Sequence, residues 1–263
     1  MLRILSAIVL LPIVVGTIWF LPPIGTLILG LIAAGLAFVE YVALAGHLGV
    51  RVPAAVSLVA TLATTVAMSR PGVPLDVVLI AAMITVGAMA VATGRPGTER
   101  LRDTAGGLFP LLYLGIPIGA LVAVRAISRE AVLVLIAIIV ISDSGQYYAG
   151  RLFGRHALAP AISPKKTIEG AVGGFVAGII AAIALGLWWL PGLAPGALAL
   201  LGAAIVALGI VGDLFESLLK RSAGVKDSGS VIPGHGGMLD RIDSWLFAAP
   251  VYYVFLRYAV LQP

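Results

Sequence analysis

Long apolar runs broken by short polar segments set the pattern of the chain. The runs lie near 4–21, 24–46, 54–69, 73–93, 106–124, 131–149, 168–190, 196–219 and 244–262. Each meets or approaches the roughly 20 residues that a helix needs to cross a hydrocarbon core of about 30 Å. Their apolar residues are continuous rather than alternating, which predicts helices and excludes the strands of a membrane barrel. The pattern therefore predicts an all-α, polytopic integral membrane protein with about nine transmembrane helices. Pro22-Pro23 separates the first two runs by a turn too tight for anything but a hairpin. The first run follows Arg3 as a signal peptide would, but no small-x-small cleavage pattern follows it, so it reads as a retained span.

The basic residues orient this array. With the N-terminus inside, only Arg70, Arg125, Arg129 and Arg257 of the 17 Lys and Arg fall on the outer side. Cytoplasmic loops carry the excess of positive charge in membrane proteins, so the N-terminus is expected in the cytoplasm and the C-terminus outside. Three polar regions, 94–105, 143–167 and 217–243, then face the cytoplasm. The chain of 263 residues is 60% hydrophobic and 11% charged, which no soluble globular domain requires. The absence of cysteine excludes disulfides, thiolate zinc sites and thiol nucleophiles. A net charge of +5 is accounted for by topology and gives no reason to expect nucleic acid as a partner. The chain reads as one membrane domain over 1–263, with 1–130 a scaffold of helices and 131–263 the catalytic helices and cytoplasmic loops.

Polar side chains gather in the second half. Asp143 follows an apolar stretch that begins at Ala131 and lies roughly 18 Å along its helix at about 1.5 Å per residue. A carboxylate at that depth points to function; the structural alternative is an ion pair with Arg151 or Arg155. Farther on, Ser163-Pro164 reads as a helix start, Ser as N-cap and Pro as first residue. Lys165 and Lys166 would then lie in the first turn, against the helix dipole, unless a phosphate binds there. The alternative is that both lysines snorkel to lipid headgroups. Asp213, Glu216 or Ser217, and Lys220 follow at i, i+3 or i+4, and i+7 on one face, and Asp240 and Asp243 share a face on the last helix. Carboxylates gathered beside basic residues suit Mg²⁺ carrying phosphate oxygens. Gly224, Gly229, Gly234, Gly236 and Gly237 would let backbone approach a ligand. These residues alone describe a cytoplasm-facing, metal-dependent site for a phosphorylated substrate.

The stretch from Ser217 to Asp243 closely resembles the signature of the phosphatidate cytidylyltransferases, also called CDP-diacylglycerol synthases. Ser217, Lys220-Arg221, Lys226-Asp227, His235-Gly236-Gly237, Asp240-Arg241 and Asp243 fill its fixed positions. Asp143 with Tyr147, Ser163-Pro164-Lys165-Lys166-Thr167, and Gly212-Asp213 also look like family motifs, while Gln146 stands where a small residue is more usual. The resemblance implies transfer of CMP from CTP to phosphatidate, giving CDP-diacylglycerol and pyrophosphate. It further implies Mg²⁺, with K⁺ as a second ion, on Asp213 and Asp240, and a homodimer in the inner (plasma) membrane. Ser217, Lys220, Arg221, His235, Asp240 and Asp243 are the expected catalytic set. Asp143, Ser163, Lys165, Lys166, Thr167, Lys226, Asp227 and Arg241 are the expected substrate contacts. Within that set Asp227 and Asp243 would hold the Lys and Arg side chains, and His235 would be a hydrogen-bonder or an acid to the leaving group.

Two other functions fit parts of the pattern. A CTP-dependent lipid kinase would use the same phosphate chemistry but would need a base for a neutral hydroxyl. A secondary transporter would line its path with charges such as Asp143, but it would also show paired repeats, and the sequence has none.

Overall fold

The computed structural model describes residues 12–92, 94, 96–229 and 236–259. Helices dominate these residues: α1 (12–20), α2 (Pro23–His47), α3 (Ala54–Ser69), α4 (Leu75–Ala92), α5 (Arg100–Pro110), α6 (Ile116–Ile127), α7 (Arg129–Phe153), α8 (Ile168–Trp189), α9 (Pro195–Ser222) and α10 (Leu239–Ala259). A π-helical turn, Leu111–Gly115, makes α5 and α6 one continuous run. It follows Pro110, whose missing N–H breaks the i→i−4 ladder and lets the helix widen. Among the described residues six helices are long and apolar enough to cross a membrane: α2, α4, the α5–α6 run, α7, α8 and α9. Helix α3 is shorter, at 16 residues, and α10 carries Asp240, Arg241, Asp243 and Arg257. The protein is thus an all-α polytopic membrane protein, with the helices where the apolar runs predict them.

The chain forms two compact units, one of residues 1–123 with 219–241 and the other of 124–218 with 242–263. In the first unit α3 buries Ser57, Thr61, Thr64, Thr65 and Ser69. Buried hydroxyls need acceptors, and four of these find them about one turn back: Thr61 donates to Ser57 O (2.7 Å), Thr64 to Ala60 O (2.8 Å), Thr65 to Thr61 O (3.1 Å) and Ser69 to Val66 O (2.9 Å). Glycines let the next helix come close. A Cβ on Gly119 would meet Thr65 O at 2.8 Å and Met68 Cβ at 2.6 Å. On the polar side Tyr41 donates to Gly106 O (2.7 Å), Arg51 N–H to Asp103 Oδ1 (2.9 Å) and Arg102 to Gly49 O (2.6 Å), which ties the α2–α3 loop to α5.

The second unit is built on close backbone approach. Gly170, Gly174 and Gly178 recur every fourth residue on α8 and are buried. A Cβ there would strike Gln146 O on α7 at 2.8 Å, Ser142 O at 3.1 Å and Ser142 Cβ at 3.2 Å. Such small-residue stripes let helices pack by van der Waals contact where lipid supplies no hydrophobic drive. Tyr252 of α10 donates to Ala131 O of α7 (2.9 Å), and Phe215 of α9 meets Phe247 of α10 with ring centres 5.5 Å apart.

One expected element is replaced. Ser163 is not an N-cap and Pro164 does not begin a helix. Residues Ala157–Ala159 (β1) and Ser163–Thr167 (β2) pair instead as an antiparallel ribbon, Ala157 opposite Thr167 and Ala159 opposite Ser163. Helix α8 starts at Ile168 because Thr167 is the better cap, its hydroxyl accepting from Gly170 N–H at 3.1 Å. Glu169 fastens the ribbon by accepting from the Arg155 and His156 N–H groups (3.0 and 3.3 Å) and pairing with His156 Nδ1 (2.6 Å). Pro164 is tolerated because a two-stranded ribbon has an unpaired side on each strand.

Gly119→Val, driven against the α3 backbone, is expected to destabilise by about 1–3 kcal/mol, read as a lower unfolding midpoint in detergent. Gly87→Ala has nothing within 4 Å of the added carbon, and it should leave the midpoint unchanged or raise it, as alanine gains about 1 kcal/mol over glycine in a helix.

Candidate active site

The polar residues gather in two clusters, one in each unit. The cluster of the second unit draws on α7, β2 and α9. Lys166 Nζ lies 2.5 Å from Asp213 Oδ2, and both side chains are partly buried. Ser217 donates to Asp213 Oδ1 at 3.4 Å from one turn farther along α9. Asp143 accepts from Gln146 Nε2 at 3.0 Å, and the charges of Asp213 and Lys166 both act on it. Gln146 is thus the hydrogen-bond partner of the intramembrane carboxylate. Among the described residues neither Arg151 nor Arg155 pairs with Asp143; Arg151 donates to Tyr147 Oη instead (3.2 Å).

The position of Lys166 follows from the ribbon. Successive side chains of a strand point to opposite faces, so Lys165 is exposed while Lys166 turns inward to Asp213. On a helix start the two would have stood side by side. The sequence brings the lysines to the site, but only one of them reaches a carboxylate.

The cluster of the first unit forms where α9 ends and α10 begins. Lys220 Nζ lies 2.5 Å from Asp240 Oδ1, with both side chains nearly buried. Asp240 Oδ2 accepts from Gly237 N–H (2.9 Å), Ser228 N–H (3.2 Å) and Ser228 Oγ (3.0 Å). Behind them stands Glu40 of α2, only 3% exposed. It accepts from Ser228 Oγ (2.9 Å), Met238 N–H (2.7 Å) and Leu239 N–H (2.8 Å). Glu40 lies in the half that reads from sequence as scaffold and is not among the expected site residues. Its signal was available: a lone carboxylate in the middle of an apolar run is a functional residue by default.

Several of these glycines fit the protein's own backbone and packing, and Gly234 lies outside the described residues. Gly224 has φ +71° and ends α9, its N–H bonding Arg221 O (3.1 Å) while Val225 N–H bonds Lys220 O (2.9 Å). A Cβ on Gly229 would meet Glu40 Oε1 at 2.9 Å, and one on Gly237 would collide with Ser228 Oγ and Glu40. Gly236, at φ +87°, is held in the left-handed region that glycine alone enters freely.

The remaining predicted residues are placed as follows. Arg221, Lys226, Asp227 and Arg241 are exposed. Among the described residues Asp227 holds no Lys or Arg side chain, and Asp243 Oδ1 accepts from its neighbour's N–H, Ser244, at 2.6 Å. In the second unit a Cβ on Gly212 would run into the Asp243 carbonyl, which sets how closely α9 and α10 pack. Ser163 and Thr167 lie in β2, with Thr167 spent on the α8 cap. His235 lies outside the described residues.

The chain is 38% identical to a phosphatidate cytidylyltransferase of Staphylococcus saprophyticus over 154 residues, 59% of either chain. It is 37% identical over 189 residues to a phosphatidate cytidylyltransferase of Helicobacter pylori, covering 71% of this chain and 67% of that one. An uncharacterized Escherichia coli protein, YnbB, is 46% identical over 127 residues, 48% of this chain and 42% of its own. The match to the staphylococcal protein spans about three fifths of that relative's length (59%). Over residues 1–259 the sequence matches the cytidylyltransferase family, and the chain belongs to that family.

Proposed function

We propose that the protein transfers CMP from CTP to phosphatidate, forming CDP-diacylglycerol and releasing pyrophosphate. The observation that carries this reading is the pairing of carboxylate with ammonium in each cluster, Asp213 with Lys166 and Asp240 with Lys220. Such pairs hold positive charge where phosphate groups can take it over. The names of the relatives and the family support the same reading.

The chemistry asks for charge neutralisation more than for a base. A phosphate monoester has a second pKa of about 6, so near neutral pH the phosphatidate phosphate is already a dianionic nucleophile. Its oxygen forms a bond to the α-phosphorus of CTP, the bond from that phosphorus to the bridging oxygen breaks, and pyrophosphate leaves with the electron pair. The obstacle is repulsion between the dianion and the triphosphate. Lys166 and Lys220 would answer it at the two ion pairs, with Lys165, Arg221, Lys226 and Arg241 as exposed cations that receive the nucleotide. Ser217 would orient a phosphate oxygen, and Asp143 would hold the nearby lysine in place.

Mg²⁺ suits the donors at hand, which are carboxylate and hydroxyl oxygens. Among the described residues no three Asp, Glu or His side chains gather as a closed metal cage. Mg²⁺ takes one or two carboxylates and completes its shell with phosphate and water. Asp213 and Asp240 remain the proposed ligands, each within its own unit. When bound, Mg²⁺ would supply the positive charge that lets the two phosphate groups approach. K⁺ as a second ion, a homodimer, nine spans and a plasma-membrane site facing the cytoplasm complete the proposal.

Purified protein in detergent, given labelled CTP, Mg²⁺ and phosphatidate, should form lipid-linked CMP and pyrophosphate in equal amounts. Release of CDP instead would make it a lipid kinase. Asp213→Asn and Asp240→Asn should each lower turnover by about 100-fold or more while the protein still elutes as a folded species in detergent; near-normal turnover removes that residue from the metal site. For the lysines the strand geometry predicts a contrast: a loss of about tenfold or more for Lys166→Ala and less than about threefold for Lys165→Ala. The lack of native cysteine allows a direct test of orientation. A membrane-impermeant thiol reagent should label Ala194→Cys in intact cells, and Thr98→Cys only after permeabilisation; the reverse pattern inverts the topology.

A further inference from the structure

We propose that Glu40 is a positioning residue for Asp240, acting through Ser228 and the first N–H groups of α10; the inference rests on the transfer reaction proposed above. The site lies wholly within the first unit. Glu40 stands deep in α2, 3% exposed, where a buried polar group needs hydrogen-bond donors around it. The donors come from one place: Ser228 Oγ at 2.9 Å, Met238 N–H at 2.7 Å and Leu239 N–H at 2.8 Å. Two of these are backbone groups at the start of α10, where the helix dipole adds to the attraction for a negative charge.

Asp240 grips the same segment from the opposite side. Its Oδ2 takes Gly237 N–H and Ser228 N–H, and Ser228 Oγ lies 3.0 Å away. The Ser228 hydroxyl therefore sits between two carboxylates and, with a single proton, donates to one at a time. The glycines supply an independent observation. A side chain at Gly229 or Gly237 would run into Glu40, so the backbone is cut to fit this carboxylate closely. Asp240 is left with Oδ1 toward Lys220 (2.5 Å). A change at Glu40 releases both ends of the segment that fixes Asp240, without touching any group proposed to meet substrate.

A helix cap serving stability alone would share the hydrogen bonds but not the kinetic consequence, and the test separates the two. Glu40→Gln keeps the volume and turns one acceptor into an N–H₂ group facing a backbone donor. Expected is a 10- to 100-fold fall in kcat with KM for CTP and phosphatidate within about threefold. Hydrogen exchange should quicken in peptides covering 236–241 and stay unchanged in α7 and α8. Ser228→Ala should reproduce part of the kcat loss, and the double variant should lose less than the product of the two, since both act on one contact. Glu40→Asp should recover less activity than wild type and more than Glu40→Gln. Wild-type kcat in Glu40→Gln overturns the proposal, as does a loss of activity that only tracks a loss of folded protein. If Glu40→Gln does not accumulate folded, Ser228→Ala decides: a lowered kcat supports the proposal and an unchanged one overturns it. Should the wild-type protein form no lipid-linked CMP, the transfer reading fails. Exchange at 236–241 then judges the clamp, faster exchange in Glu40→Gln supporting it and unchanged exchange overturning it.

Discussion

A carboxylate surrounded by apolar helices costs several kcal/mol unless donors or a counter-charge reach it. This constraint explains why the polar segments of the chain lie where they do. Asp213 has Lys166 and Ser217, Asp240 has Lys220 and three donors, and Glu40 has a hydroxyl and two backbone N–H groups. In every case the partner comes from a different element or from the next turn of the same helix. The loops that supply those partners are fixed by the need, and the chemistry borrows what the constraint already requires. An ammonium group held against a carboxylate is also an ammonium group held where a phosphate can find it.

The same logic reaches back into packing. Helices α7 and α8 can approach because Gly170, Gly174 and Gly178 present no side chains to one another's backbones. Gly150 on α7 leaves room for the Thr167 hydroxyl, since a Cβ there would stand 3.0 Å from it. With Thr167 seated, α8 is capped and the ribbon strand before it runs in a set direction. Lys166 is then one residue from a fixed point, with its side chain on the inner face. The reach of one cation to Asp213 thus depends on small residues on two helices.

Hydropathy carried most of the fold. The helix ranges follow the apolar runs within a few residues for α2, α3, α4, α8 and α9, because burial in lipid sorts residues by the property the sequence displays. The ribbon at 157–167 was not legible, because Ser163-Pro164 carries a true helix-start signal that a competing cap four residues later overrides. Capping is decided by which hydroxyl reaches a free N–H, a matter of three-dimensional reach. For the site, residue types were legible and pairings were not. Lys166–Asp213 and Lys220–Asp240 join residues far apart in the chain, and no spacing rule separates Lys166 from Lys165. Glu40 was hidden by its setting, one acidic residue among apolar ones in a half with few other polar side chains. The glycines of the Ser217–Asp243 stretch were legible as special, but the crowding of Gly229 and Gly237 by Glu40, a residue far earlier in the chain, was not.

The bonds of Glu40 carry a consequence for biogenesis. Its partners lie 188, 198 and 199 residues later in the chain. At the usual synthesis rate of about 5–20 residues per second, α2 leaves the ribosome roughly 10–40 s before those partners exist. An acidic side chain must wait through that interval in or near the bilayer, hydrated or shielded by another component. The contact that completes the first unit is therefore among the last that the nascent chain can make. A cell in which elongation slows, or in which the final helix is missing, would hold an inserted helix with an unmatched acid.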